Sequence, residues 1–340
     1  MSTFVNLEPV VVIAEIGVNH NGSLALAQQL VRDFAAAGAD YAKFQTFRAG
    51  ELASQDAQLA EYQKNNSDFV SQFALLKTLE LTDSDFLSLQ KTCGDHGVGF
   101  LSTAHDFDSA ELLFGLRLDY IKVPSGDVTN VRFLELVATK STPVLLSTGM
   151  ATVAEVQRAL EVLESGGLPR GMVTVLQCTT NYPAPVDEAN LRAMVTMGVE
   201  FGVSIGYSDH TIGVDASLAA VALGASVIEK HVTLDTTMPG PDHAASMEPD
   251  EFRALVRSIR LVESALGSPE KAPTASEDAQ RTVVRKSIMA SRQILVGERF
   301  TEGNVTLKRP GTGISAARWH DVLGTTAHKD YKPDDMVEMP

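Results

Sequence analysis

The chain has 340 residues, of which 44% are hydrophobic and 21% charged, so it is long enough for a large core and for two domains. Its formal net charge of −15 argues against a nucleic-acid partner or a membrane surface, because phosphate binding needs a basic footprint. Two distant cysteines, Cys93 and Cys178, predict neither a disulfide framework nor a cysteine zinc site. No apolar run approaches the ~20 residues that span a bilayer, and no secretory signal pattern is present, so we expect a cytoplasmic protein.

Short apolar runs alternate with helix-like patterns over residues 9–266. Eight runs are predicted as strands: 9–15, 41–44, 99–103, 120–123, 143–147, 173–177, 204–207 and 226–231. Helices are predicted after most of them: 24–37, 84–96, 109–116, 131–139, 154–165, 216–223 and 250–266. Because crossover helices bury both faces of parallel strands, this order predicts an α/β fold, a (βα)8 TIM barrel.

Polar side chains gather at the carboxyl ends of these predicted strands. In a parallel barrel those ends meet on one face, where catalytic groups lie. A purely structural barrel does not need so many polar groups on one rim, so the site is expected there. The ring consists of Glu15, Lys43, Gln45, Thr103, Lys122, Ser125, Ser147, Thr179, Thr180, Tyr182, Ser208, His210 and His231.

Two segments depart from this alternation. Residues 46–81 are too many for a plain βα turn, and 61–66 within them suggest an insertion that covers substrate or contacts a second subunit, or else a variable surface loop. Residues 268–283, rich in Pro, Ala and Ser, are predicted to link a barrel domain of residues 1–267 to a small module of residues 284–340. The module has short predicted strands, and its core is marginal at that size without a neighbour.

Two histidines stand at the ends of the last two predicted strands. If those strands are neighbours, the imidazoles of His210 and His231 point into one cavity. Imidazole is the commonest nitrogen ligand for divalent transition metals, and two of them leave positions for substrate and water. Asp209, Glu229 and Asp242 lie close in sequence and could orient the imidazoles or bind a metal-held water. We therefore predict a metal site at this pair.

Three cations are candidate anion ligands in an acidic chain. Lys43 and Lys122 each close a strand, where a buried lysine acts either as a Schiff-base nucleophile or as a fixed charge for phosphate or carboxylate. The hydroxyls of Ser125 and Ser147 suit phosphate better than an imine, and both alternatives stay open. In the small module, Arg309 carries a fork-shaped guanidinium that could reach a ligand.

A carboxylate ends the first predicted strand. Glu15 is expected to be buried there, and a buried charge must be paired or hydrogen-bonded. It is therefore a candidate acid, base or hydroxyl ligand.

Seven short motifs occur in order along the barrel part of the chain. They are AEIGVNHNG at 14–22, KFQT at 43–46, KVPSG at 122–126, LSTGM at 146–150, YSDHT at 207–211, EKH at 229–231 and PGPDH at 239–243. Together they resemble the sialic acid synthase family, and KRPGTGI at 308–314 is similar to its C-terminal antifreeze-like (SAF) domain. The resemblance covers nearly the whole chain.

The resemblance implies a transferase that condenses phosphoenolpyruvate (PEP) with an N-acetylated hexosamine, using manganese or magnesium as a divalent metal cofactor. The metal would polarise the sugar aldehyde, carbon 3 of PEP would attack it, and phosphate would leave after water adds to carbon 2. The first expectation is N-acetylneuraminate made from N-acetylmannosamine. The alternative is N,N'-diacetyllegionaminate made from 2,4-diacetamido-2,4,6-trideoxymannose, and an imine-forming pyruvate aldolase is the less favoured chemistry.

By the same resemblance, each position receives a role. Catalytic residues would be Glu15, Asp242 and the metal ligands His210 and His231, and PEP would be bound by Lys43, Thr103, Lys122, Ser125 and Ser147. Sugar ligands would be Gln45, Asp127, Thr180, Tyr182, Ser208 and, in a domain-swapped homodimer, Arg309 of the partner subunit. Two departures leave the sugar open: Asp127 stands where many members carry Glu, and the 178–182 segment CTTNY differs from the Cys-Thr-Asn of some members.

Overall fold

The computed structural model describes residues 8–59, 69 and 71–339. The chain divides into two compact units, the first ending at Gly267 and the second beginning at Ser268. Across the described ranges, no helix combines the length and apolar character needed to cross a bilayer.

The first unit is built on a closed barrel of eight strands in sequence order, which confirms the predicted TIM barrel. All neighbouring strands run parallel, including the closing pair of first and last strand. Every predicted strand is present. The strands are β1 (Val11–Gly17), β2 (Tyr41–Thr46), β3 (Gly99–Ala104), β4 (Ile121–Val123), β5 (Val144–Ser147), β6 (Val173–Cys178), β7 (Ser204–Asp209) and β8 (Val227–His231).

The barrel interior has an apolar lower layer. It contains the buried side chains of Ile13, Leu101, Leu145, Leu176 and Val227. Because side chains alternate along a strand, the residues two positions further on point into the same interior. Those residues are Glu15, Thr103, Ser147, Cys178 and Glu229. The apolar layer therefore forms the floor beneath a polar layer at the carboxyl ends.

Helices surround the barrel and bury one face each against it. They are α1 (Leu24–Ala37), α2 (Ala49–Leu52), α3 (Gln72–Leu79), α4 (Asp83–Asp95), α5 (Phe107–Gly115), α6 (Val131–Ala138), α7 (Val153–Ser165), α8 (Leu191–Phe201), α9 (Asp215–Ala222) and α10 (Pro249–Leu266). Helix α7 begins at a capping box, in which Thr152 accepts from the backbone of Glu155 while Glu155 accepts from that of Thr152. Edge-to-face packing of Phe34 on Phe252, with ring centroids 5.2 Å apart, joins α1 to α10 in the large outer core.

Two features of this unit were not predicted. The sequence pattern did not predict helix α8, and α2 and α3 lie in the segment 46–81, for which no helix was predicted. Residues 61–66, predicted to cover substrate or contact a subunit, lie outside the described residues.

The second unit has a small core around Ile288, Phe300 and Tyr331. Its strands β9 (Ser287–Ala290) and β10 (Val305–Lys308) pair antiparallel, and a short helix α12 (Trp319–Val322) follows. The segment 268–283, predicted as a linker with no helix assigned to it, overlaps the helix α11 (Ala275–Val284). A capping box between Thr274 and Glu277 starts this helix, a signal the composition of the segment had obscured.

Candidate active site

The polar layer of the barrel centres on four buried charges. Lys43 Nζ lies 2.6 Å from Glu15 Oε2 and 3.5 Å from Glu229 Oε2, while Lys122 Nζ lies 3.3 Å from Glu229 Oε1. Lys43 also donates to Thr103 Oγ1 at 3.0 Å. Each charge is at most 5% exposed, so each one depends on its neighbours for stabilisation.

The two carboxylates of this group differ in their affinity for a proton. Burial raises the pKa of Glu15, and the negative charge of Glu229 raises it further against the opposing effect of Lys43. Burial also acts to raise the pKa of Glu229, but Lys122, Lys43 and the hydroxyl of Ser208 outweigh it and lower that pKa. Glu229 is therefore the permanent anion, and Glu15 is the carboxylate that more readily holds a proton.

The two lysines differ in the same way. Burial lowers both pKa values, but Glu15 and Glu229 more than reverse that effect for Lys43. At Lys122 the desolvation prevails, helped by repulsion from Lys43, and the pKa is lowered. Lys43 is thus a firmly protonated cation, and a protonated amine is a poor imine-forming nucleophile.

The predicted histidine pair comes together at the ends of β7 and β8. The ring centroids of His210 and His231 are 5.2 Å apart, and Tyr182 stacks on His210 at 4.1 Å. His210 Nδ1 lies 2.5 Å from the carbonyl oxygen of Thr179, which favours the tautomer with its N–H at Nδ1 and a lone pair at Nε2. The buried His231 Nδ1 has no hydrogen-bond partner in the part of the chain that the structure describes, and Asp242 Oδ2 is 3.9 Å from it.

These imidazoles suit a divalent metal as two of its ligands. Burial lowers the pKa of His210 to about 4 and that of His231 well below its usual value, so both rings are neutral, as a metal ligand must be. Within residues 8–59, 69 and 71–339, no group of three or more His, Cys, Asp or Glu side chains is arranged to hold a metal. A metal here would therefore complete its coordination with water or substrate oxygens.

A second buried ion pair lies on the opposite face of β7 and β8. Asp209 Oδ2 lies 2.9 Å from Lys230 Nζ and accepts from Ser217 of α9 at 2.6 Å. Asp209 Oδ1 accepts from both the backbone N–H and the hydroxyl of Thr211, each at 2.8 Å. Lys230 Nζ donates to the Thr211 carbonyl at 2.5 Å. We call Asp209, Thr211, Ser217 and Lys230 the outer clamp, because it fixes the residues on either side of His210.

The outer clamp corrects one expectation. Asp209 and Glu229 were considered as partners that orient the imidazoles, but Asp209 faces α9 and Glu229 contacts the lysines and Ser208. Asp242 is the member of the three with an oxygen beside an imidazole nitrogen, 3.9 Å from His231 Nδ1. The contact of Glu229 with both lysines was not predicted, although its place two residues before His231, on the same side of a strand, could have indicated an inward side chain.

The hydroxyl residues predicted for PEP border the same cavity. The backbone N–H of Gly149 donates to Ser125 Oγ at 3.0 Å, and Ser125 Oγ lies 3.1 Å from Cys178 Sγ. A Cβ on Gly149 would stand 2.9 Å from each of those atoms, so only glycine allows this approach. The buried Ser147 Oγ has no hydrogen-bond partner in the described part of the chain.

The residues predicted for the sugar are less closely grouped. Gln45 donates to Glu15 Oε1 at 3.2 Å, and Ser208 Oγ donates to Glu229 Oε1 at 2.9 Å. Asp127 is half-buried and accepts from Asn130 at 2.8 Å, while burial raises its pKa. Thr180 packs closely against Gly149: its Cγ2 would be 2.6 Å from a Cβ placed on that glycine. Arg309 belongs to the second unit, where it is exposed.

A buried cavity with paired lysines, convergent neutral imidazoles and unpartnered polar atoms is typical of an enzyme site at the carboxyl end of a barrel. Comparison with known proteins agrees with this interpretation. The model of the NeuB family matches residues 30–271, and that of the SAF domain matches residues 285–339. The chain belongs to the NeuB family and is a synthase of the sialic and legionaminic acid type.

Named relatives cover almost the whole chain. It is 45% identical over 335 residues to N,N'-diacetyllegionaminic acid synthase of Campylobacter jejuni, covering 97% of this chain and 99% of that protein. It is 36% identical over 337 residues to mouse N-acetylneuraminate-9-phosphate synthase, covering 97% and 93%. The crystal structure of sialic acid synthetase from Leptospira borgpetersenii in complex with citrate superposes with a TM-score of 0.72 at 32% identity, covering 80% of this chain and 90% of that one. Of these three proteins, the one with the highest identity is thus named as a legionaminic acid synthase.

Proposed function

We propose that the protein condenses PEP with 2,4-diacetamido-2,4,6-trideoxymannose to give N,N'-diacetyllegionaminate and phosphate. The pairing of two buried lysines with two convergent imidazoles in one barrel cavity is the observation that carries the chemistry. The choice of sugar is supported by the 45% identity to the Campylobacter jejuni synthase. Asp127 is one methylene shorter than the Glu of many members. The space that it leaves is consistent with the diacetamido sugar, which is bulkier than N-acetylmannosamine.

Lys43 and Lys122 are proposed to hold the anionic groups of PEP. Both side chains are at most 5% exposed, and at a buried site the attraction to phosphate and carboxylate is strong. Ser147 Oγ, Thr103 Oγ1 and Ser125 Oγ line the same rim and can add hydrogen bonds. Glu15 and Glu229 pair with the same lysines, so the buried charges of the protein compensate one another.

His210 and His231 are proposed to bind manganese or magnesium. When bound, the metal supplies a Lewis acid for the sugar aldehyde. The Thr179 carbonyl keeps the proton of His210 at Nδ1, so that Nε2 faces the cavity as an acceptor. Tyr182 covers this ring and excludes water from it.

In the reaction, carbon 3 of PEP forms a bond to the aldehyde carbon, water adds to carbon 2, and the carbon–oxygen bond to phosphate breaks. The water loses both protons as its oxygen becomes the keto oxygen at carbon 2: one goes to the former aldehyde oxygen and the other leaves with the phosphate. Burial and the charge of Glu15 raise the pKa of Asp242 to about 7, which suits a group that exchanges protons near neutral pH. Glu15, with its raised pKa, is the second proposed proton carrier.

N-acetylmannosamine is the second candidate sugar. It is favoured by the structural likeness to a sialic acid synthetase, at a TM-score of 0.72. Three further features belong to the same proposal: a domain-swapped homodimer, Arg309 of the partner subunit at the N-acetyl group, and a cytoplasmic location where PEP is made.

The test is phosphate release from PEP with each of three sugars: the diacetamido sugar, N-acetylmannosamine and N-acetylglucosamine. Products are identified by mass spectrometry. The proposal expects kcat/KM to be highest for the diacetamido sugar, with EDTA abolishing the reaction and manganese restoring it. Higher kcat/KM with N-acetylmannosamine would reassign the sugar. Borohydride trapping of a lysine with pyruvate, together with activity that survives EDTA, would support the aldolase alternative instead.

A further inference from the structure

One histidine at the barrel rim has no part in the site described so far. His105 directly follows β3, and its backbone N–H donates to the Thr46 carbonyl at 3.0 Å, which extends the pairing of β3 with β2. The strand alternation therefore continues to this residue. Leu101 lies in the apolar floor and Thr103 contacts Lys43, so His105 is the next inward position, toward the open end of the cavity.

The imidazole of His105 carries a buried nitrogen without a partner. Its Nε2 is enclosed and forms no hydrogen bond with any of the described residues. The ring is held edge-on against Phe47, with centroids 6.5 Å apart and planes at 70°. An unsatisfied buried polar group costs roughly 1–3 kcal/mol, so its retention calls for a reason. A ligand that the nitrogen meets only when the cavity is filled is one such reason.

The electrostatic surroundings indicate what kind of ligand. Burial lowers the pKa of His105 to about 4, and Lys43 and Lys122 lower it further because both cations are near the ring, while Asp106 acts weakly in the opposite direction. The ring is therefore neutral and offers one N–H. Beside the two ammonium groups, a neutral N–H adds a third hydrogen-bond donor, and several donors directed at one place suit an anionic group.

We propose that His105 is a further substrate-binding residue, whose Nε2–H donates a hydrogen bond to an anionic group of PEP held by Lys43 and Lys122. This inference rests on the proposed function for the identity of the anion. It assigns to this chain a contact on the PEP side of the cavity, away from the two imidazoles at β7 and β8. The phosphate and the carboxylate of PEP share the required chemistry, and the experiment separates them.

His105→Phe is the informative variant, because phenylalanine retains the ring shape and loses the nitrogen. The proposal expects KM for PEP to rise roughly 10- to 100-fold, the range of one hydrogen bond to a charged group, with kcat changed much less. The melting temperature of the ligand-free variant should equal or exceed that of the native protein, because the unsatisfied nitrogen is gone. His105→Gln, whose amide can donate, should recover part of the affinity.

KM for PEP, and not stability, distinguishes a binding imidazole from one that has no contact with substrate. If KM for PEP is unchanged in His105→Phe, the proposal is overturned. Should a variant fold poorly, His105→Gln gives the same comparison of KM values.

A binding measurement separates this inference from the proposed reaction. Thermal stabilisation of the native protein and of His105→Phe is compared with PEP alone, inorganic phosphate alone and pyruvate alone. Smaller stabilisation of the variant by phosphate assigns the contact to the phosphate group, and by pyruvate to the carboxylate. The proposed function fails if the native protein consumes PEP with none of the acetamido sugars. The His105 contact is rejected if PEP stabilises the native protein and His105→Phe equally.

Discussion

The two faces of strands β7 and β8 differ in how far their polar side chains are hydrogen-bonded. On the inner face, no described residue is a hydrogen-bond partner of His231 Nδ1, and Ser208 Oγ lies 3.4 Å from His210 Nε2, a weak contact. On the outer face, both oxygens of Asp209 accept two contacts each. The same two strands thus leave polar atoms available on one side and satisfy them on the other. The inner face is suited to binding a ligand, and the outer face to holding the strands that carry it.

The largest expected effect comes from removing an inner-face imidazole. His231→Ala should lower phosphate release by about 10³-fold or more, since a metal site reduced to one imidazole loses its Lewis acid. Manganese affinity, measured by titration calorimetry, should fall as well. His96→Ala, at an exposed histidine that ends α4, is the matched control and should retain activity. Full activity of His231→Ala in metal-stripped buffer would reject the metal role.

Breaking the outer clamp should mainly affect stability. Asp209→Ala leaves Lys230 buried without its partner, which costs about 3–5 kcal/mol of unfolding free energy for a broken buried ion pair. Urea unfolding measures the loss. Replacing both charges, as Asp209→Leu with Lys230→Met, should recover much of it, because an apolar pair needs no compensation. A loss below about 1 kcal/mol in Asp209→Ala would mean that the clamp contributes little.

Acid should weaken the fold through another buried histidine, His20. Burial lowers the pKa of His20 from 6.5 to about 4 against the opposing effects of the Gly17 backbone and Asp85, and its Nε2 has no hydrogen-bond partner among the residues that the structure describes. As the pH falls, His20 of the unfolded chain takes up a proton before His20 of the folded chain does. Its protonation therefore costs no unfolding free energy above pH 6.5, and the unfolding free energy decreases as the pH drops from 6.5 toward 4. One such group accounts for about 3 kcal/mol. His20→Asn, whose side-chain oxygen can still accept from Gly22, should flatten the pH dependence of urea unfolding; an unchanged slope contradicts the assignment.

The finest comparison uses one substitution on each face. Ser217→Ala removes a hydrogen bond to Asp209, so it should reduce unfolding free energy by about 1–3 kcal/mol and leave KM for PEP unchanged. Ser147→Ala removes a hydroxyl that has no partner in the described residues, so it should leave stability unchanged and raise KM for PEP. The reverse pattern would show that the two faces do not differ as described.

The sequence predicted the barrel because its strands are buried on both faces and its helices follow in regular order. It also predicted most residues of the polar layer, since strand ends are visible as the ends of apolar runs. Helix α8 was missed because the polar segment before it, around Asn190, hides its start: no side-chain cap is present there. Helix α11 was missed because Pro and Ser dominated the composition around a capping box.

The contacts within the site could not be predicted with the same success. Sequence order alone does not reveal that Glu229 bridges two lysines from β2 and β4, because those strands are distant in the chain. Likewise, Asp209 stands next to His210 in sequence and faces the other way in space. Only the alternation of side chains, applied strictly from Val227 onward, separates Glu229 and His231 on the inner face from Lys230 on the outer.

Direct pairing of Asp209 with Lys230 across β7 and β8 has a consequence for folding. A shift of β8 by one residue would turn Lys230 into the cavity and His231 toward α9, because side chains alternate strictly along a strand. Asp209 would then be buried under α9 with no cation, an arrangement several kcal/mol less stable. The ion pair therefore stabilises the observed strand register relative to a register shifted by one residue. A barrel closed with β8 shifted by one residue would lose both the stability of the ion pair and the pairing of His210 with His231.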